Sequence, residues 1–487
     1  MAYHHGTRVL EVSTSLVAPI VGTAGLQVVV GISPVNLAEN PYSATNIVKI
    51  AYNFAEAAAA VGYSNNFKDY NLNQSISATF KKFAVAPIIL INVLDPKKHT
   101  EPVEKKEYEV QQMQIVLETE GLLLDELIVE NGEQRLAVDV DYIASFNDDG
   151  YVVLTLLESG NTSAIEKLSV SGKKIAPSLV TSRDIIGGYD VATGKESGLE
   201  LIRQIYPLFG MTPGIITSPG YSKDPSVASV MAAKCLNINS VFTCECVVDL
   251  DCTSEGATKY TEVKTVKEKS GFVSSHVEPV WPKVRIGDEV YYYSAIFSAL
   301  IAYTDTKNDD VPSLHMSNKS LPITGLCLDD EKDTEVVMDQ EQANLVNSFG
   351  VVTAINRNGF KSWGNNTAAY PSITDPKDRW FGCRRFFSWW GNSFILTYFQ
   401  KVDDPANYRL VEAICDAENI RGNSYVAQGK CAGARIEYLE DENPITDILN
   451  GKVQFHQYLA PYTPAEDILN VLEFDPDMLE TALNGGE

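Results

Sequence analysis

The stretch that decides the fold is residues 185–227, which read IIGGYDVATGKESGLELIRQIYPLFGMTPGIITSPGYSKDPSV. Its glycines suggest a phosphate-binding loop, in which four residues separate the first glycine from a Gly-Lys pair and a serine or threonine follows the lysine. Here five residues lie between Gly188 and Gly194, and Glu196 follows Lys195. A carboxylate repels phosphate and cannot replace the hydroxyl that binds magnesium. The stretch therefore predicts tight turns between a strand and a helix.

Strand and helix patterns alternate on both sides of this stretch. A short apolar run at residues 26–32 predicts a strand, and the continuous apolar run at 87–94 predicts a strand that is covered on both faces. Asp224 and Pro225 form a good N-cap and first-turn pair for a helix with an apolar face. The other predicted helices are residues 44–61, 72–83, 258–269, 290–303, 340–348, 378–400, 408–420 and 443–449, and the other predicted strands are 214–217 and 240–250. The alternation predicts an α/β core with a mainly parallel sheet and helices on both faces.

Residues 110–179 interrupt the alternation. Asn131-Gly132 and Asp149-Gly150 are strong turn signals, and runs rich in Val, Leu and Tyr surround them. A charged connector at residues 95–109 precedes this region, so we expect an inserted β-rich domain. The predicted division is an N-terminal extended arm (1–22), a central α/β domain (23–96 and 185–360), the β-rich insertion (97–184), an α+β C-terminal domain (361–475) and a C-terminal tail (476–487).

Both ends of the chain are predicted to be extended. Residues 7–12 are rich in β-formers, and two strand-like runs at 453–459 and 468–474 lie near the other end. A strand of this kind cannot bury a face alone and needs a partner sheet. The ends are therefore suited to adding strands to a sheet of another chain.

Composition excludes several classes of function. The formal net charge is −25, which argues against binding to nucleic acid or to an anionic membrane surface. The sequence shows no apolar run of about 18 residues, so no membrane insertion is expected. The eight cysteines lack paired C-x2-C spacing, which predicts reduced thiols rather than a zinc site.

Catalytic signatures are also missing from the sequence. It contains neither a G-x-S-x-G elbow, nor an H-E-x-x-H motif, nor a G-x-G-x-x-G fingerprint. The acidic clusters do not have calcium-loop spacing. We expect no catalytic residue, no cofactor and no metal site.

Four segments together resemble one known family. The residues are 185–202 with 213–222 in the decisive stretch, YHHGTRVLEV at 3–12, IILINVLDP at 88–96 followed by the insertion, and DILNGKVQFHQYLAPYTPAEDILNVLEFD at 447–475. In this order they resemble the contractile tail sheath proteins of bacteriophages and of phage-tail-like R-type bacteriocins. The resemblance spans nearly the whole chain.

The resemblance implies a structural subunit without enzymatic activity. Such subunits form stacked hexameric rings around a tail tube and contract to drive the tube through a target cell envelope. The implied partners are other copies of the chain and the tail tube, baseplate and tail terminator proteins, with assembly in the bacterial host cytoplasm before release in a virion or bacteriocin particle.

The resemblance also implies that arms from each subunit complete a shared β-sheet in the C-terminal domains of its neighbours. The candidate inter-subunit arm contacts are Thr7, Arg8, Val9, Leu10, Glu11, Val12, Val453, Phe455, Leu459, Ile468, Leu472 and Phe474. Two alternatives stay open. One is an α/β hydrolase or nucleotide-binding enzyme with a β-domain insertion, based on the parallel-sheet pattern and Lys195. The other is the sheath subunit of a secretion-type contractile injection machine.

Overall fold

The structure is a computed structural model that describes residues 22–158 and 165–484. Within these ranges the strands are β1 (Gln27–Gly31), β2 (Lys49–Ala51), β3 (Ile88–Asn92), β4 (Thr100–Glu109), β5 (Gln114–Leu117), β6 (Ile128–Asn131), β7 (Gln134–Arg135), β8 (Tyr142–Phe146), β9 (Val152–Leu156), β10 (Lys167–Ile175), β11 (Gly188–Asp190), β12 (Lys195–Ser197), β13 (Ile215–Thr217), β14 (Glu245–Asp249), β15 (Val277–Val280), β16 (Lys283–Ile286), β17 (Glu289–Tyr291), β18 (Gly325–Cys327), β19 (Glu335–Val336), β20 (Thr353–Asn356), β21 (Phe360–Trp363), β22 (Gly433–Glu437) and β23 (His456–Ala460).

The helices of the same ranges are α1 (Phe54–Val61), α2 (Leu72–Ile76), α3 (Ser182–Ile186), α4 (Ile205–Phe209), α5 (Pro225–Leu236), α6 (Val263–Ser270), α7 (Tyr293–Thr306), α8 (Gln340–Asn347), α9 (Pro376–Arg379), α10 (Phe381–Tyr398), α11 (Tyr408–Ala427), α12 (Ile445–Leu449) and α13 (Pro476–Leu483). A π-helical segment, Ser77–Lys82, continues α2. None of the described helices is both long and apolar enough to cross a bilayer.

A six-stranded sheet in the order β15-β14-β13-β1-β3-β2 forms the centre of the fold. Neighbouring strands are parallel except for β2, which runs antiparallel to β3. Side chains alternate between the two faces, so Val28 and Val30 enter the core that contains α5, whereas Val29 enters a core with α1 and α2. Both faces are therefore buried, as the continuous apolar run at 87–94 predicted. The mixed α/β class is confirmed.

Helix α7 covers the second face of the sheet and is buried along nearly its whole length. Ile296 and Phe297 pack against Ile215 and Val247 from two parallel strands. The buried helix expected at residues 290–303 is therefore present, but it begins only at Tyr293 because the preceding residues form strand β17.

Three further predicted elements are wrong in extent. Residues 44–61 do not form one helix, because Asn46 has a left-handed backbone (φ 50°), β2 follows it, and Asn53 caps α1 by accepting from the main chain of Glu56. The strand predicted at 240–250 begins only at β14. The helix predicted at 258–269 begins only at α6, because the Glu262 carboxylate bonds the main chain of Thr258.

Within the decisive stretch, residues 188–197 form a β-hairpin, not a phosphate loop. The turn at Gly194 therefore joins two strands, whereas the sequence predicted turns between a strand and a helix. Strands β11 and β12 pair in an antiparallel manner with Gly188 opposite Ser197. Gly187 has φ 66°, and a Cβ there would lie 1.9 Å from the Ser197 carbonyl oxygen, so the hairpin base admits no side chain. Glu196 is buried in an ion pair with Arg203 and accepts from Gln204 Nε2 at 2.7 Å. The residue that excluded a phosphate site by its charge thus holds the turn in place.

Residues 100–158 and 165–175 form two small sheets that share a core of their own. The sheets have the orders β4-β10-β6-β7 and β5-β9-β8. Leu117, Val129, Val152 and Leu154 are central to this core. Strands β4 and β10 pair from Thr100 opposite Ile175 upward, so the chain enters and leaves this region at one place.

The remaining small sheets extend the body towards the C-terminal region. They are the four-stranded sheet β17-β16-β18-β19, the hairpin β20-β21 and the two-stranded sheet β22-β23. Helix α10 lies between the central sheet and this last pair, with Trp389 and Trp390 buried in a cluster that also contains Ala24 and Cys431.

Candidate assembly site

The candidate assembly site begins with the two-stranded sheet of β22 and β23. The strands are antiparallel, with Gly433 opposite Ala460 and Glu437 opposite His456. An isolated pair of strands is marginally stable in water, and three or more strands make a sheet that stands on its own. The sheet therefore needs contacts with neighbouring elements for its stability. Whether it can add another strand depends on which of its two edges is free.

The outer edge of β22 is already covered by α11. The Asn419 side chain accepts from the Ile436 N–H at 3.0 Å and donates to the Ile436 carbonyl at 3.2 Å. A Cβ on Gly422 would lie 2.5 Å from the Ala434 carbonyl oxygen, so the helix lies directly against the strand. Because main-chain groups point alternately to the two edges of a strand, this edge cannot pair with another strand.

The outer edge of β23 is the open edge of the sheet. Register places Gln457 opposite Ile436 and Leu459 opposite Ala434. Their main-chain groups therefore point away from β22, and no described residue outside the sheet bonds them. An unpaired strand edge of this kind is a template for a strand from another chain.

The predicted contact residues near β23 are divided between the subunit's own packing and its surface. Phe455 packs against Tyr398, Ile414 and Ile436, and Leu459 packs against the cluster around Trp389. Val453 is half-buried. Side chains of this run thus fix β23 to its own subunit and leave its main chain to be shared.

Residues 461–484, which follow β23 and are called the apolar tail below, contact the body of the subunit near their start. The Tyr462 carbonyl oxygen lies 2.9 Å from His315 Nε2. The Glu466 carboxylate lies 3.4 Å from Arg379 Nη2. Every residue from 465 to 484 is exposed. These two contacts fix where the tail leaves the body.

The tail carries an apolar composition that is unusual for exposed chain. Among its large apolar side chains, Ile468 is 84% exposed, Leu472 87% and Phe474 77%. No strand forms at residues 468–474 in the single subunit. A sequence that is rich in β-formers but has no partner matches what a donated strand requires.

The N-terminal end of the described chain is fixed to α10. The Trp389 indole N–H donates to the Gly22 carbonyl at 2.9 Å, and the Gly22 N–H donates to Ser393 Oγ at 2.9 Å. Arg385 pairs with Asp305, and both side chains are buried. Burial raises the pKa of the Asp305 carboxyl, against the opposing effect of the Arg385 guanidinium. The predicted contacts Thr7, Arg8, Val9, Leu10, Glu11 and Val12 lie outside the described residues.

The position where a parallel α/β sheet would hold a ligand contains a cavity of about 400 Å³. Two of its polar side chains are engaged within the chain: the Lys223 ammonium lies 2.6 Å from Asp329, and Asn71 bonds the main chain of Ile32 and Pro219. The nearby Asp249 carboxylate accepts from Gly220, Ser222 and Ser294, and burial raises its pKa. Lys195, the basis of the enzyme alternative, is exposed on β12. Among the described residues nothing here pairs a nucleophile with a base.

Sequence reasoning missed the residues that support the site. Asn419, Glu418 and Gln457 decide which edge is open and how the sheet is held, yet each is an ordinary polar residue in its local pattern. A glutamate within the apolar face of a helix is the one signal that was available, because a buried charge needs partners.

Comparison with known proteins gives relatives of one kind, and one of them matches over its full length. No family model matches the chain. It is 22% identical to the tail sheath protein of Burkholderia phage BcepMu over 99% of both chains. It is 26% identical to the major tail sheath protein of Serratia phage KSP20 over 62% of this chain and 73% of that protein, and 23% identical to the tail sheath protein of Escherichia phage P2 over 59% and 69%.

Solved structures show the same fold. The sheath complex of the PVC extracellular contractile injection system, in its contracted state, aligns with a TM-score of 0.58 at 12% identity over 98% of this chain and 99% of that chain. The contracted helical sheath of the anti-feeding prophage aligns with a TM-score of 0.56 at 13% identity over 98% and 100%. The resemblance found in the sequence is confirmed to this extent: the curated relatives are named tail sheath proteins of phages, and the two contractile sheaths share the fold of the chain.

Proposed function

Because the chain is a homologue of contractile tail sheath proteins, we propose that it polymerises through the open edge of β23. An arm of one subunit adds to this edge in another subunit, and a second arm can add to the first. Repetition of this contact would link the subunits of the proposed stacked hexameric rings around a tail tube. Contraction of the stack would then drive the tube through a target envelope.

The observation that carries the proposal is the open edge of β23 beside an exposed apolar tail. A two-stranded sheet lacks strands, and residues 468–474 lack a sheet. Each deficiency is removed if the tail of one copy pairs with β23 of another. The arm contacts of both ends, from Thr7 to Val12 and at Ile468, Leu472 and Phe474, belong to this proposal.

The strength of one such contact is modest. Four to six main-chain hydrogen bonds at roughly 0.5–1.5 kcal/mol each give a few kcal/mol per arm. Repetition around a ring and along a stack makes the polymer strong through multivalency. Arms joined to the body by extended chain can stay paired while the bodies rotate, which a sheath with two states requires.

The proposed division into arm, body, insertion, C-terminal domain and tail gives each part a separate task. The body of residues 23–96 and 185–360 is the rigid unit, the insertion at 97–184 projects from it, and the C-terminal domain at 361–475 accepts arms. Tail tube, baseplate and tail terminator proteins are the proposed partners, and host cytoplasm is the proposed place of assembly. The relatives favour a phage sheath, and the injection-system sheaths share the fold. An R-type bacteriocin sheath stays part of the proposal.

Electron microscopy of the purified chain tests the proposal. The unaltered protein should form rings or tubes as its concentration rises. Asn470→Pro removes a main-chain donor in the tail without removing an apolar side chain, and should abolish polymers. Asn470→Ala is the matched control and should polymerise. Polymers formed equally by both variants would show that the tail does not pair as a strand.

A further inference from the structure

The end of the described N-terminal chain is held by one stripe of α10. The stripe consists of Arg385, Trp389 and Ser393, which are spaced four residues apart. Trp389 and Ser393 make the two bonds to the main chain of Gly22 described above. Arg385 Nη2 donates to the Ala24 carbonyl at 3.1 Å. The Thr23 N–H also donates to Thr212 Oγ1 at 3.1 Å. Residues 22–24, at the end of the predicted N-terminal arm, are therefore bonded to α10 and are expected to move together with it.

The neighbouring residue of α10 turns the other way, towards the β22–β23 sheet. The Trp390 indole N–H donates to Glu418 Oε2 at 3.2 Å, and Gln457 Nε2 on β23 donates to the same oxygen at 3.0 Å. Arg421 Nη1 donates to Glu418 Oε1 at 3.0 Å, and the guanidinium carbon of Arg421 lies 4.1 Å from the Trp390 ring centroid. Glu418 is only 1% exposed. One buried carboxylate thus joins α10, α11 and the open-edge strand.

The two sets of contacts meet within α10. The Trp389 and Trp390 rings touch edge to face, with centroids 5.9 Å apart. A continuous series of bonds and packed rings runs from Gly22 through Trp389, Trp390 and Glu418 to Gln457. We call this series the α10 connection. It bypasses the central sheet, since each of its members lies in the C-terminal region except Gly22.

We infer that the α10 connection transmits tension between the strand that receives an arm and the arm that the same subunit extends. The inference rests on the proposed function, because only in a polymer are both ends occupied. A pull from a bound arm enters at β23, passes through Glu418 and α10, and leaves at Gly22. Charged and aromatic contacts in a buried setting suit this task, because they are stiff and exclude water.

The alternative role of these residues is general stabilisation of the fold. Substitution of a residue that only stabilises the subunit shortens the lifetime of the folded subunit under force, whatever the direction of pulling. Substitution of a residue in the α10 connection shortens this lifetime only when the force runs along the connection. Direction therefore separates the two roles.

The test pulls single full-length subunits at constant force between two pairs of handles. One pair, at Ala2 and Tyr458, directs force along the α10 connection. The other, at Ala2 and Gly132, directs force into the insertion and away from Glu418. Glu418→Gln keeps the shape of the side chain and removes its charge, so the lifetime should shorten about tenfold, which corresponds to about 1.4 kcal/mol, along the first direction. Along the second direction it should stay unchanged.

A second variant keeps the test decisive if Glu418→Gln does not fold. Gln457→Ala removes the bond from β23 alone, and Gln454→Ala removes an exposed bond to Glu442 as its matched control. We expect a shorter lifetime for Gln457→Ala and not for Gln454→Ala in the Ala2–Tyr458 direction. Equal lifetimes for these variants, or equal shortening in both directions, would overturn the inference. Failure of the unaltered chain to polymerise in electron microscopy would instead refute the proposed function, and with it any role for the connection in a sheath.

Discussion

Substitution of Leu472 by alanine tests which face of the tail strand is buried in the polymer. In an extended strand, alternate side chains point to opposite faces, so Ile468, Leu472 and Phe474 share one face and Leu469 and Val471 share the other. We predict that the first face packs against the accepting subunit. Leu472→Ala should therefore weaken the contact, and Leu469→Ala is the matched control on the opposite face.

The magnitude follows from the exposure of Leu472 in the single subunit. Its side chain is 87% exposed, so the free energy of unfolding of the subunit should change by no more than about 0.5 kcal/mol. If the side chain becomes fully buried on assembly, loss of its outer carbons costs about 2 kcal/mol per contact. A difference of 2 kcal/mol raises the critical concentration for polymer formation about 30-fold.

The assay is sedimentation of polymers across a concentration series. Leu472→Ala should shift the threshold by that factor while thermal unfolding of the unassembled chain stays the same. Leu469→Ala should shift it by less than about threefold. The reasoning about the buried face would be refuted by equal shifts for the two variants or by a larger shift for Leu469→Ala.

Three further predictions concern the subunit itself. Arg385→Met leaves the buried Asp305 without its partner, and urea unfolding should show a loss of about 3–5 kcal/mol, most of it recovered by adding Asp305→Leu; an additive double variant would contradict this. Although burial opposes it, Lys223 and Lys283 hold the pKa of Asp329 at about 2, below its ordinary value, so stability present above pH 4 should fall by about 2 kcal/mol as pH drops towards 2. Asp329→Asn should flatten that part of the curve of stability against pH, and an unchanged slope would refute the assignment. Replacing residues 104–169 by a short Gly-Ser link should leave cooperative thermal unfolding of the body, because β4 and β10 already meet at Thr100 and Ile175; loss of that transition would mean that the insertion belongs to the main core.

Much of the central fold could be predicted because its signals are local. The valines of β1 and the apolar run at β3 place apolar side chains on both faces of each strand. Such a pattern is typical of strands that are covered on both faces. The charge of Glu196 excluded a phosphate site from the sequence alone, and in the structure Glu196 forms an ion pair with nearby Arg203. Such features depend on neighbours a few residues away.

The errors and omissions came from contacts distant in sequence. Residues 44–61 have helix-forming composition, but pairing of Lys49–Ala51 with β3 overrides the local preference of the first half. Glu418 meets Trp390 and Gln457 from 28 and 39 positions away. No periodicity in one sequence encodes such a meeting, so the open edge of β23 and the α10 connection required the structure.

The open edge of β23 has a consequence for how sheath subunits recognise their own kind. Main-chain N–H and carbonyl groups are the same in every protein, so an edge of this kind accepts any strand of suitable length and carries little identity. Two related sheath proteins made in one cell would therefore mix in one polymer unless side chains prevent it. That discrimination falls to the few apolar side chains of the arm, and exchanging Ile468, Leu472 and Phe474 between relatives is the direct way to redirect which subunits assemble together.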